Sequence, residues 1–331
     1  MSPVDELPSN LLYSIFDLTP HHMHQDLAKF ALVRRSWREP AQRALSHTVF
    51  LRGEEKVQSW LASPCLHPTV GLILMNVRND TGLKVLRTCP GISSLEVTRD
   101  TLAMLDAEDG GYAWCAQVSQ LQHLMLWTTP RFPRDSATLK FRLQSLLIRA
   151  NDIFVVHDIR TLLTSSQATL HSLSLDSLSN AFTQSLINFL KSPTGITLLY
   201  IHTLSLQWPA IESCTRWQKL FLNFPRLRSL EIAFDLGNEV GVAKIIGSLA
   251  IAIPPFTKVL TLYTHWQTND RPSAQFLLGL LLEFVNLSVF ADSIIELPWV
   301  PGWEFESSLG QTFRNTCEEN GIRVLSRSGF L

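Results

Sequence analysis

The chain has 331 residues, 46% hydrophobic and 17% charged, with a mean hydropathy of +0.11; that is long enough for one large domain or two and too apolar for disorder over most of its length. Twenty-eight Lys and Arg against 29 Asp and Glu leave a formal net charge of −1, so no broad cationic field exists to recruit nucleic acid or an anionic membrane, and a protein partner is the expectation. Five cysteines (Cys65, Cys89, Cys115, Cys214 and Cys317) are widely spaced, odd in number and without a CxxC pair, which speaks for reduced thiols in cytosol or nucleus rather than a disulfide framework.

Residues 1–10 carry Asp5 and Glu6 and lack the basic start and apolar run of a secretory signal, so they are expected to stay on the mature chain. Leu7-Pro8 then opens a segment with Leu11, Leu12, Ile15, Phe16 and Leu18 at helical spacing. Pro8 suits a first turn, where its missing N–H has no partner to lose. After a polar link, Asp26 is placed to cap a second helix with Leu27, Phe30, Ala31 and Arg34 along one stripe, widened by Leu32 and Val33. Trp37 follows, and Pro40 is expected to restart a third helix that carries Ala41, Ala44 and Leu45 toward Val49 and Phe50. Three short helices bury little by themselves, so their exposed leucines imply docking on something else.

Leu7-Pro8, the Leu11-Leu12-x-x-Ile15-Phe16 helix, Asp26-Leu27, Leu32-Val33-x-x-x-Trp37-Arg38 and the closing Leu45 resemble the F-box pattern in order and spacing, over roughly residues 5 to 50. Ser9 or Asn10 stands where an acidic residue often follows the Leu-Pro, and His21-His22-Met23-His24 lengthen the loop between helices. The stretch from Phe50 through Val57 to Leu61 resembles the link after the F-box in many fungal members. A plain N-terminal cap on a repeat core is the competing reading.

From residue 70 onward three apolar residues recur at i, i+3 and i+5: Val70/Ile73/Met75, Ile92/Leu95/Val97, Leu121/Leu124/Leu126, Leu143/Leu146/Ile148 and Leu170/Leu173/Leu175. Ile201/Leu204/Leu206, Leu227/Leu230/Ile232, Thr257/Leu260/Leu262, Phe284/Leu287/Val289 and an Ile322/Val324 remnant continue the series. The last two residues of each phrase point to one face of a strand. Starts roughly 22 to 31 residues apart approximate a leucine-rich-repeat period. Helical patterns lie between them: Leu83/Leu86, Ile159/Leu162/Leu163, Phe182/Leu186/Phe189/Leu190, Val242/Ile245/Ile246/Leu249 and Phe276/Leu277/Leu280/Leu281. The expected fold is α/β: a three-helix F-box over residues 1–50, then an irregular leucine-rich-repeat solenoid over 51–331 with parallel strands on its concave face. A doubly wound sheet is the alternative.

No GxSxG, HExxH, GxxxxGK[ST] or GxGxxG motif offers a nucleophile, zinc or phosphate site, and no cofactor is expected. His21, His22 and His24 lack a second cluster at ligand spacing, so a solvated loop is expected there rather than a metal site. Cys317 precedes Glu318 and Glu319, charges that raise a thiol pKa, so no cysteine looks fit to carry ubiquitin. The outward strand positions are mostly small and polar; Trp127, Arg149 and Tyr263 are the large groups among them and the candidate target contacts. Arg149 has Asp152 and Asp176 as possible surface partners.

The resemblance implies a non-catalytic substrate-recognition subunit of an SCF-type ubiquitin ligase. In that family the helical unit binds a Skp-family linker protein, which joins it to cullin and RING subunits. The linker contacts implied here are Leu7, Pro8, Leu11, Leu12, Ile15, Leu32, Val33 and Trp37, and the repeats would hold an unknown protein target. A repeat scaffold that binds a partner without ubiquitination is the alternative.

Overall fold

Leucines two apart on a strand face the same way, so a chain that repeats such pairs must stack its strands to bury them. In the computed structural model this stacking is seen directly. The structure describes residues 11–12, 14–15, 29, 32, 35–62, 68–97, 115, 117–127, 139–149, 156–176, 180–191, 198–207, 214–235, 239–265, 274–287, 292–297 and 307–326. The chain divides into two compact units, residues 1–143 and 144–331.

In the first unit, residues 11–12, 14–15, 29 and 32 are helical, and α1 (Arg35–His47) leads directly into β1 (Thr48–Arg52). Then come α2 (Glu54–Ala62), β2 (Gly71–Met75), α3 (Asn79–Thr88), β3 (Ser94–Val97) and β4 (His123–Leu126). The four strands are parallel and follow sequence order, so β1 straddles the boundary drawn after residue 50. Val49, Leu72, Leu95 and Leu124 stand in one register row, and Leu51, Leu74, Val97 and Leu126 in the next; all eight are buried.

Two expectations are corrected here. Pro40 does not restart a helix but sits inside α1. As its sixth residue it lies just past the four N–H groups that lack partners, so the cost is one hydrogen bond and crowding of the Ser36 carbonyl. The phrase Val70/Ile73/Met75 is off by one: Leu72 and Leu74 are buried while Ile73 and Met75 are half-buried on the opposite face. The run is apolar at every position except Gly71, so its own alternation cannot choose a face, and pairing with β1 and β3 decides.

Glu54 links neighbouring repeats. Its carboxylate accepts hydrogen bonds from Gln58 Nε2 and the Arg78 N–H at 3.2 Å each, and from the Thr81 hydroxyl. Arg78 makes no side-chain cap for α3, so Glu54 of the preceding helix serves one of its free N–H groups. Burial opposes the charge on Glu54, but those bonds and the charge of Arg78 hold its pKa below the ordinary value.

In the second unit the strands are β5 (Ser145–Arg149), β6 (Ser172–Asp176), β7 (Thr203–Gln207), β8 (Ser229–Asp235), β9 (Val259–His265), β10 (Ile294–Leu297) and β11 (Arg323–Ser326). They pair in parallel in that order. The helices between them are α4 (Val156–Ser166), α5 (Asn180–Lys191), α6 (Cys214–Phe221), α7 (Glu239–Ala252), α8 (Ala274–Leu287) and α9 (Ser308–Glu319), each packed on the next. Leu146, Leu173, Leu204, Leu230, Leu260, Ile295 and Val324 form one register row. All are buried except Val324, which is half-buried on the last strand. A second buried row runs through Ile148, Leu175, Leu206, Ile232 and Leu262.

The phrase Phe284/Leu287/Val289 is not a strand. Phe284 is buried on α8, which runs to Leu287, and Val289 lies outside the described residues. The strand here is Ile294–Leu297, with Ile295 and Leu297 inward. Two apolar residues three apart fit a helix as well as the phrase, and the helix wins.

Ahead of several strands a single carbonyl accepts two successive N–H groups from the next repeat. The His171 carbonyl takes His202 and Thr203 at 2.9 and 3.1 Å, His202 takes Arg228 and Ser229 at 2.9 Å each, and Arg228 takes Lys258 and Val259 at 2.7 and 3.0 Å. Val70 and Ser93 do the same in the first unit. At the end of α9, Gly321 (φ +70°) donates to the Glu318 carbonyl at 2.9 Å and Ile322 to Cys317 at 2.7 Å, the paired bonds of a Schellman cap, whose left-handed position favours glycine.

Leu204 lies mid-row and fully packed, so Leu204→Ala should cost ~2–5 kcal/mol through lost burial and the cavity left behind. Val324→Ala, half-buried on the last strand, should cost clearly less. Urea denaturation of both variants checks the ranking, and equal losses would contradict it.

Candidate functional site

Two surfaces present the residues singled out from the sequence. At the N-terminal side of the first unit, Leu12 is buried with Ala41 and Ala44, and Trp37 and Leu45 pack half-buried against them. Leu11, Ile15 and Leu32 point outward instead, 47%, 50% and 88% exposed. One side of this helical segment therefore serves the chain's own core through Leu12 and Trp37, while the other leaves leucine and isoleucine uncovered. Leu7, Pro8 and Val33 lie outside the described residues.

The second surface is the strand face opposite the leucine rows. Alternation in the second unit lines up Leu147, Ser174, Ser205, Glu231, Thr261 and Glu296 across successive strands. Thr261 Oγ1 donates to Glu296 Oε2 at 2.9 Å, and Ser205 hydrogen-bonds the Glu231 carboxylate. Burial pushes the Glu231 pKa up, the Ser205 bond works against that, and the negative charge of Glu296 pushes it up further. The two carboxylates sit two strands apart, about 10 Å at the usual strand spacing, on either side of Thr261. Glu296 escapes sequence reading because its strand, β10, is not among the leucine phrases.

Trp127, Arg149 and Tyr263 do not form one cluster. Trp127 belongs to the first unit, exposed, with its indole N–H donating to Glu96 Oε1 at 2.8 Å. Arg149 faces Asp176 across the β5–β6 register, Nε to Oδ2 3.8 Å. Tyr263 is half-buried on β9, four strands from Arg149, about 19 Å at the usual spacing. Trp217 is core: fully buried on α6 and stacked on Phe221 at 5.3 Å between centroids. Trp208, Trp266, Trp299 and Trp303 lie outside the described residues, as do His21, His22 and His24.

Among the described residues no group of three or more His, Cys, Asp or Glu is placed to hold a metal ion, and no helix is long and apolar enough to cross a membrane. The Cys317 thiol is pushed up to about 12, by burial first and by Glu318 second; a protonated thiol is a poor nucleophile.

Comparison with solved structures finds this chain similar to the leucine-rich repeat-containing protein LegL7 from Legionella pneumophila. The two are 14% identical, the match covers 85% of this chain and 91% of that one, and the TM-score is 0.51. The shared feature is the fold, a leucine-rich-repeat arrangement of parallel strands and helices. No family model matches the chain, and no curated protein matches it.

The carboxyl of Glu231 has its folded-state pKa raised, so its ionisation costs the folded state nothing below the unfolded pKa and most above the folded one. Glu231→Gln keeps an acceptor for Ser205. It should therefore gain stability relative to the parent as the pH rises from about 4 to about 7, read by urea denaturation at both ends. A variant that loses ground over that range would show that the charge is held favourably after all.

Proposed function

We propose that the chain is a non-catalytic interaction scaffold, and specifically the substrate-recognition adaptor of an SCF-type ubiquitin ligase. The observation that carries this reading is the uncovered apolar side of the N-terminal helical segment. Leu11, Ile15 and Leu32 are exposed ahead of a leucine-rich-repeat sheet, within a stretch whose sequence resembles an F-box. A soluble chain gains from covering such residues, and a Skp-family linker protein is the partner that the resemblance implies. Leu7, Pro8 and Val33 complete the proposed contact set. Leu12 and Trp37 then act from beneath, by holding the helices at the angle the linker meets.

In this reading the repeats hold a target protein and the linker brings cullin and RING subunits. Chemistry is left to a conjugating enzyme, and the adaptor acts by raising the effective concentration of a target lysine near it. Leucine-rich-repeat folds suit the task because neighbouring strands offer a continuous row of side chains held by a packed core. Trp127, its indole tethered to Glu96, and Arg149, paired with Asp176, enter as side chains already held in place, which lowers the entropy lost on binding. Tyr263 is the third proposed contact. The place of action in this reading is cytosol or nucleus.

The double variant Leu11→Asp with Leu32→Asp should abolish co-purification of the Skp-family protein while circular dichroism stays unchanged, since both side chains are exposed. Retained co-purification would remove the docking assignment, and linker binding without cullin would leave a scaffold outside the ligase. Trp127→Ala should keep the linker yet weaken the target by at least ~2 kcal/mol, about thirtyfold. Unchanged target affinity for Trp127→Ala, Arg149→Ala and Tyr263→Ala alike would move the target site off the strand face.

A further inference from the structure

The N-terminal ends of the strands in the second unit carry a feature that neither the leucine pattern nor the adaptor reading uses. The residues ahead of β6, β7, β8 and β9 are His171, His202, Arg228 and Lys258, tied in succession by the doubled carbonyl bonds. Each is therefore about 4.8 Å from the next along the sheet edge, so four basic residues span about 15 Å. The His171 and His202 rings meet edge to face at 5.7 Å. Arg226, two residues before Arg228, lies with its guanidinium 5.5 Å from the centroid of the Tyr200 ring.

A cavity of about 700 Å³ opens on this edge, lined by His202, Pro225, Arg226, Arg228, Phe256 and Lys258. Among the described residues no carboxylate stands within ion-pair distance of Arg226, Arg228 or Lys258; Lys258 Nζ reaches only the backbone carbonyl of Asp292, at 3.5 Å. Phe256 is 68% exposed beside them. The crowding of positive charge registers on His202, held below its ordinary range by burial first, then by Arg228, His171 and Arg226. In a chain of net charge −1, three cations without an ion pair among the described residues and an exposed aromatic ring share one cavity.

We propose that this edge docks an acidic, extended segment of a partner protein, with Arg226, Arg228 and Lys258 taking its carboxylates and Phe256 packing an apolar side chain between them. The geometry favours a peptide over a compact anion, because exposed Phe256 stands among Arg226, Arg228 and Lys258 on the same cavity and so offers an apolar contact that a bare anion cannot use. It favours a peptide over nucleic acid as well. The basic row is about 15 Å long and the chain carries no broad cationic field, whereas nucleic-acid affinity rests on many phosphate contacts. An extended segment places alternate side chains about 7 Å apart, which the long arms of arginine and lysine accommodate. The surface lies on a different edge from the strand face assigned to the target, and it stands whether or not the chain serves a ubiquitin ligase.

The test uses the full chain and a fluorescein-labelled peptide alternating Glu with Leu, its Gln counterpart, and fluorescence anisotropy. The Glu peptide should bind, the Gln peptide should not, and affinity should fall as salt is raised. Arg228→Gln with Lys258→Gln should weaken binding at least about tenfold with the circular dichroism spectrum unchanged, and Phe256→Ala should weaken it without altering the salt dependence. The proposal is overturned if the Glu peptide fails to bind, if Gln binds as well as Glu, or if the double variant binds like the parent. It is also overturned if inorganic phosphate at the peptide's own concentration displaces it, if one phosphoserine in place of Glu dominates the affinity, or if a single-stranded oligonucleotide binds more tightly.

Discussion

In each unit one backbone oxygen ahead of a strand accepts the N–H groups of the residue ahead of the next strand and of that strand's first residue, as His171, His202 and Arg228 do in turn. Two bonds to one acceptor leave the incoming strand no freedom to slide. That restriction matters because a slip of one residue turns every side chain of a strand to the opposite face. With the register held, Leu146, Leu173, Leu204, Leu230 and Leu260 meet in a row, and the helices that follow the strands close over them. The hydrophobic stacking supplies the driving force, and the carbonyl ladder decides which residues receive it.

The same restriction assembles the polar surfaces. Once the leucines of a strand are committed inward, the residues between them fall side by side on the other face, and Glu231, Thr261 and Glu296 become neighbours although each is contributed by a different repeat. Polar groups so placed must satisfy one another. Thr261 donates to Glu296 and Ser205 to Glu231; the pKa of Glu231 is nevertheless raised, first by burial and then by the charge of Glu296, against the Ser205 bond. The functional character of such a fold resides in the side chains mounted on it, since the backbone arrangement is common to proteins of unrelated roles.

Much of this architecture was legible in the sequence. The leucine phrases from Leu121 to Leu262 place the core rows correctly because in most of them, as at Ser174, Ser205, Glu231 and Thr261, a polar residue between the two core residues marks the outward face. In β2 that contrast vanishes, Leu72-Ile73-Leu74-Met75 being apolar on both faces, and the reading slips by one. Helices α6 and α9 escape notice for a different reason: each buries few residues, Trp217, Leu220 and Phe221 in one and Gly310, Phe313 and Cys317 in the other. The N-terminal segment is legible as amphipathic, but not which of its leucines the chain keeps. Leu12 turns inward and Leu11 outward, a division set by contacts with Ala41 and Ala44 about thirty residues away. The basic edge is invisible in one dimension, since His171, His202, Arg228 and Lys258 stand about thirty residues apart and only the stacking of repeats brings them together.

The repeats are unequal in length: strand starts are separated by as few as 22 residues, from His123 to Ser145, and as many as 35, from Val259 to Ile294. The entropy of closing a connection grows only with the logarithm of its length, so the longer excursion costs about 0.4 kcal/mol more than the shorter, less than a single buried methylene contributes. Unequal connections and an even sheet are therefore compatible. Because each strand meets only its immediate neighbours in the order, a unit behaves as a one-dimensional array with nearest-neighbour coupling. Order in such an array can begin at any adjacent pair and spread both ways, and disturbance at one repeat frays outward from that point before the whole unit gives way.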